Sequence, residues 1–168
     1  AFFREYKNVG LTPQAMPVVS VSIAEEEVGG IGIDNVAGQL AAWNYFQTID
    51  SPTNKSFVDA FKAKYGENRV TSDPMEAAYV SLYLWKVMAE KAKAFDTAAI
   101  QAAADGVTFD APEGTVTIYG ENHHISKTAL IGKIGPDGLL YTEWTSGTPV
   151  EPDPYLTGYD WGKDLGSN

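Results

Sequence analysis

Apolar and polar positions alternate along this chain with two periods, and the places where the period changes mark its elements. Phe2, Phe3, Tyr6 and Val9 recur at helical spacing, and Gly10 follows as a stop, so the chain opens on a helix. Pro17 to Ile23, PVVSVSI, is rich in β-branched residues and predicts a buried strand. The glycines at 29, 30, 32 and 38 predict a turn, and Gln39 to Phe46, QLAAWNYF, predicts a second strand. Ser51-Pro52 is a helix start, because serine can cap while proline at the first helical position forfeits an N–H that had no partner anyway. From there Phe57, Val58, Phe61 and Tyr65 form one stripe that Gly66 ends. Asp73-Pro74, with Glu76 three residues after the aspartate, predicts a second helix of the same kind. It reaches about Ala92 and is apolar nearly all round, so it needs cover on more than one side. A shorter helix is expected over Thr97 to Ala104.

Strands return in the last third. TVTIY follows Gly114, and TALIGKI and LLYTEW flank Gly135-Pro136-Asp137-Gly138, in which proline presets φ and glycine takes the positive-φ corner of a hairpin. Beyond Thr148, the prolines at 149, 152 and 154 predict an extended strap. Helices and strands in this order make an α/β chain, yet with too few strands for a sheet covered on both faces.

Composition narrows the function classes. The 168 residues have the length of about one domain, and 44% hydrophobic with 20% charged residues describes a packed globular protein. A net charge of −10 disfavours nucleic acid and anionic membrane surfaces, both of which select basic faces. No run approaches the roughly 18 apolar residues of a membrane span, so direct membrane insertion is not expected. The absence of cysteine excludes disulfides and thiolate chemistry. The opening AFFREYKNVG reads as a processed or truncated start.

Candidate chemistry is sparse. His123 and His124 are adjacent, so on a strand they point to opposite faces; a structural frame is the first reading and a shared metal ion the second. Glu25, Glu26 and Glu27 follow a strand directly, which suits either the positive end of a helix or a ligand-facing loop at the strand's C-terminal end. Trp43, Asn44 and Tyr45 offer either core and hinge packing or a stacking face with hydrogen bonds. No GxSxG elbow, HExxH helix, phosphate loop or GxGxxG fingerprint occurs, which makes an enzyme the weaker class, with neither cofactor nor metal expected.

Taken together, VVSVSIAEEEV, GQLAAWNYFQTIDSPTNKSFVDAFKAKYG, DPMEAAYVSLYLWKVMAEKA and FDAPEGTVTIYGENHHISKTALIGKI resemble the C-terminal part of urea- and short-amide-binding receptors of bacterial ABC uptake systems. These belong to the type I periplasmic-binding family, which also includes an amide sensor and branched-chain amino-acid receptors. The resemblance implies two α/β lobes joined by three crossovers, a ligand in the cleft, and hinge closure on binding. It assigns residues 1–43 to lobe two, 44–127 to lobe one, 128–147 to a hairpin returning to lobe two, and 148–168 to an extended tail. It places Ser22, Ile23 and Glu25 at a ligand-contacting strand end and counts Tyr45, a hinge residue, with them as ligand-binding. It implies a urea- or amide-binding component that serves membrane permease subunits from the periplasm or the cell exterior, with His123 and His124 just before the return crossing. An intracellular amide sensor restraining a regulatory partner, or a receptor for branched-chain amino acids, is the alternative. Members of that family are substantially longer than this chain, so contacts from an absent N-terminal half are expected to be missing.

Overall fold

The computed structural model describes residues 1–162, so the part of the expected tail at 163–168 lies outside the described residues. The chain begins with α1 (Phe2–Asn8), β1 (Val19–Ser20), α2 (Glu25–Ile31), α3 (Ile33–Val36) and β2 (Leu40–Trp43). Next come α4 (Pro52–Tyr65), α5 (Asp73–Ala92) and α6 (Thr97–Ala102). The closing strands are β3 (Thr108–Ala111), β4 (Gly114–Tyr119), β5 (His124–Ile125), β6 (Leu130–Ile134) and β7 (Leu140–Thr145). The α/β class expected from the pattern is the class observed.

Two sheets divide the strands. One has the order β1-β2-β6-β7, parallel between β1 and β2 and antiparallel elsewhere. The other, β3-β4-β5, is antiparallel throughout. Each sheet has its own apolar cluster. Val28, Val36, Phe46, Leu130, Ile134 and Leu140 pack beside the four-stranded sheet, while Val80 and Leu84 of α5 meet Val107, Ala111, Val116 and Ile118 of the second. A fully buried side chain of this size contributes about 1.5–3 kcal/mol, so each cluster is a sizeable local anchor. Gly132 is required where it stands, opposite a bulge at Glu143 of β7, because a Cβ there would lie 2.6 Å from the Phe46 ring.

Local chemistry explains most element boundaries. The Ser51 hydroxyl accepts from Asn54 N at 3.1 Å, and α4 ends at Gly66, whose φ of +115° favours glycine. The β6–β7 hairpin closes at Gly138 with φ +84°. The segment after β7 contains neither helix nor strand through residue 162, and its Val150 pairs backbone to backbone with Lys127.

Five points of the sequence reading need correction. The strand over 17–23 shrinks to Val19–Ser20 and is not buried: Val19 and Val21 are 51% and 71% exposed, because β1 is an edge strand paired only to β2. Gly29 and Gly30 lie inside α2 rather than in a turn; the Glu27 carboxylate accepts from Ala24 N at 2.9 Å and buried Val28 anchors the helix, so the break falls at Gly32 with φ +92°. The Asp73 carboxylate does not cap α5, for reasons given below. Strand β3 was not anticipated: Thr108–Ala111 alternates polar and apolar over four residues only, and it is ordered by pairing with β4 across a tight turn. The helix that is apolar all round is covered on one side only among the described residues, leaving Leu82 and Trp85 exposed.

Candidate functional site

The chain leaves β2 at Trp43 and passes from the first sheet's cluster to α4 through Asn44 to Asp50, a stretch with no ladder partner for its polar backbone. Side chains supply what the ladder does not. Asp73, at the start of α5, accepts from Asn44 N at 2.9 Å and Tyr45 N at 3.0 Å with the same oxygen. Asn54 of α4 donates to the carbonyls of Gln47 and Ile49 at 2.9 and 2.7 Å. The Gln47 side chain accepts from Thr71 N at 2.8 Å, and the Tyr45 hydroxyl bridges Asn54 Oδ1 and Thr71 Oγ1, both at 2.8 Å. A second passage of the chain, from β5 to β6, is tied to the first where Asn44 Nδ2 donates to Thr128 O at 2.8 Å.

Of the residues singled out in the sequence, three meet this crossing and one does not. Glu25, 3% exposed, accepts from Gln47 N at 2.8 Å through Oε1, while Oε2 is buried without a partner. The Ile23 carbonyl accepts from Trp43 Nε1 at 2.8 Å, fastening the end of the β1 segment to the end of β2. Tyr45 is fully buried with its hydroxyl engaged, so it holds the crossing together and presents no free face. Ser22 is exposed and its N–H donates to Ser20 Oγ within the same bend. His123 and His124 are exposed in the β4–β5 turn; Asn122 Oδ1 accepts from His124 N at 2.9 Å, a tie within the turn.

Glu25 faces a cavity of about 280 Å³ bounded by Glu26, Arg69 and Val70 on one side and Asp137 to Leu139 of the β6–β7 turn on the other. Arg69 is the one cation among the lining residues, and it pairs with Glu26 at 2.9 Å. Burial is the main cause that lifts the Glu25 carboxyl to about 7, with the negative charges of Asp73 and Glu27 adding to it against the Gln47 N–H. A group so placed changes between hydrogen-bond acceptor and donor near neutral pH.

A second set of acids lies behind the crossing. Glu76 of α5 and Glu113 of the β3–β4 turn are buried against Lys127, whose ammonium is 2.7 Å from Glu113 Oε1 and 3.9 Å from Glu76 Oε2. Sequence reasoning missed this set and the crossing's ties to Asp73, Gln47, Asn54 and Thr71. Asp73 and Glu76 were read as helix-start chemistry, which is local, whereas their partners lie 29 and 37 residues away.

The arrangement is two sheets joined at laced crossings beside a cavity with one buried, half-satisfied acid. It matches a known pattern: the model of the periplasmic binding protein domain covers residues 1–160. The chain belongs to that family. Its fold is a portion of the type I periplasmic-binding-protein fold. A Leu/Ile/Val-binding protein homolog from Brucella abortus (strain 2308) is 24% identical over 160 residues, which is 92% of this chain and 41% of that protein. A protein named limonene hydroxylase from Geobacillus stearothermophilus is 31% identical over 127 residues, 76% of this chain and 23% of that protein. Among solved structures, a solute-binding protein of an ABC transporter from Rhodopseudomonas palustris HaA2 in complex with p-hydroxybenzoic acid superposes with a TM-score of 0.77 at 24% identity, covering 94% of this chain and 44% of that one. An amino acid ABC transporter substrate-binding protein from Pseudomonas fluorescens Pf-5 gives 0.77 at 22%, with 94% and 43% covered. The chain therefore spans less than half the length of the relatives it matches.

Proposed function

We propose that the chain is the C-terminal portion of the solute-binding component of an ABC uptake system and that its ligand is urea or a small amide held between two lobes. In this reading residues 1–43 and 128–147 form lobe two, 44–127 lobe one, and the crossings at Asn44–Phe46 and Thr128 are hinge strands, Tyr45 being the buried pin of the first. Support comes from the separate apolar clusters on either side of the crossings. Ligand contacts are assigned to Ser22, Ile23 and Glu25, and the partners are permease subunits met in the periplasm or outside the cell. The protein binds and releases its ligand without chemical change.

The observation that carries the ligand class is Glu25: a buried carboxyl with one oxygen committed to Gln47 and the other unpartnered beside a cavity. An amide or urea N–H would give that oxygen a charge-assisted bond, and a small neutral ligand suits a lining in which acids outnumber the single arginine. The same acid would repel the carboxylate of an aromatic acid. A branched-chain amino acid is the second reading, favoured by the name of the Brucella relative and by the fit of an ammonium to Glu25. Calorimetry on the whole receptor with urea, acetamide, leucine and 4-hydroxybenzoate decides the matter. Binding of urea or acetamide is expected; binding of leucine alone transfers the function to the second reading, and binding of 4-hydroxybenzoate alone overturns both.

A further inference from the structure

Glu76 is fully buried and Glu113 is 8% exposed, and they come from different elements. Glu113 N donates to Glu76 Oε1 at 3.3 Å, so the β3–β4 turn is pinned to the first turn of α5. The Lys127 ammonium is shared by the two acids, 2.7 Å from Glu113 Oε1 and 3.9 Å from Glu76 Oε2. Apart from the Lys127 ammonium, no donor among the described residues reaches Glu76 Oε2 or either carboxylate oxygen of Glu113. Two buried carboxylates that share one ammonium leave a negative charge uncompensated, and a proton on one of them would remove it.

We propose that Glu76 and Glu113 hold one proton between them, and that with Lys127 this acid, carboxylate and ammonium set is a proton-sensitive clamp on the segment returning to the four-stranded sheet. With the proton in place the set is neutral: Glu113 is ionised against Lys127 and Glu76 is protonated. Without it, two buried negative charges face one positive, and a single ammonium cannot compensate both. Charged and titratable groups facing the pair on every side act in the same direction or are too weakly acidic to relieve it. Asp73, one turn earlier on α5, adds negative charge; Tyr45 on the crossing and Tyr79, one turn later on α5, are phenols that stay neutral. Burial holds both acids above the ordinary carboxyl range against the pull of Lys127, with the Glu113 charge adding to it at Glu76 and the Asp73 charge at both. The segment they clamp is short. Ser126 N donates to Thr117 O at 3.0 Å, Lys127 pairs with Val150, and Thr128 O receives Asn44, so loosening Lys127 loosens the tie between the two passages of the chain.

Carbon-detected NMR of the glutamate carboxyl groups tests this without any ligand, so its outcome is independent of the reading of the cleft. One carboxyl of the pair is expected to titrate at neutral pH or above while the other stays ionised, the resonances of both moving together. Glu76→Gln should abolish that step, and Lys127→Met should move it to higher pH. The amide exchange of Ser126 and Lys127, corrected for base catalysis, should accelerate across the same step in the wild type and not in Glu76→Gln. Should Glu76→Gln fail to fold, the wild-type titration decides alone. Two independent midpoints near the ordinary value of about 4.3 would overturn the proposal, as would exchange at 126 and 127 that ignores the step.

Discussion

Helix α5 presents two surfaces that obey opposite rules. Toward the crossings, its first turn buries Asp73 and Glu76, and their carboxylates are spent on Asn44 N, Tyr45 N and Glu113 N. On the outer side Leu82 is 64% exposed and Trp85 42%, with Phe95 stacked on Trp85 at 6.1 Å and 82% exposed. Only the first turn buries its polar groups; farther along, Val80, Leu84 and Ala89 are buried while Leu82 and Trp85 stand outside. The buried Asp73 carboxylate is matched to particular partners and defines where the chain crosses. The apolar side chains outside stay largely exposed, Trp85 and Phe95 touching each other, and contribute little to this chain's own stability.

Breaking the inner surface should have the largest effect. Asp73→Ala leaves two buried N–H groups of the crossing unsatisfied and should cost about 2–4 kcal/mol in chemical denaturation. A loss under about 0.5 kcal/mol would mean that the crossing holds without α5. The outer surface should behave otherwise: Leu82→Ser with Phe95→Ser should change stability by about 0.5 kcal/mol or less, as surface substitutions do. The same pair should lower self-association in light scattering, because it removes an exposed apolar patch. A large loss of stability on the outer face, with association unchanged, would erase the distinction.

The division between the two faces also marks how far the sequence could be read. Ser51-Pro52 and Gly135-Pro136-Asp137-Gly138 were legible because each carries its own mechanism within four residues. Asp73-Pro74 has the same local look, and its helix is there, but the carboxylate serves a partner 29 residues earlier, which no local pattern records. Gly29 and Gly30 read as a turn because glycine weakens helices; the fixed ends of α2, at Glu27 and Val28, outweigh that preference. Glu25 was singled out by its place at a strand end, and the structure adds what spacing could not, one oxygen bound and one free. The Glu76, Glu113 and Lys127 set gave no signal, since its members are 37 and 14 residues apart in a chain already rich in acids.

In the proposed function Glu25 acts as an ionised acceptor for ligand N–H groups. Calorimetric titration of the whole receptor with urea, run from pH 5.5 to 8 on wild type and Glu25→Gln, tests this. Because burial lifts the Glu25 carboxyl to about 7, urea should bind more tightly as the pH rises through that value and should release a proton below it. Glu25→Gln should weaken binding roughly tenfold to a hundredfold, the range of a charge-assisted hydrogen bond, and flatten the pH profile. Equal affinity in the two proteins, with no dependence on pH, would contradict the assignment.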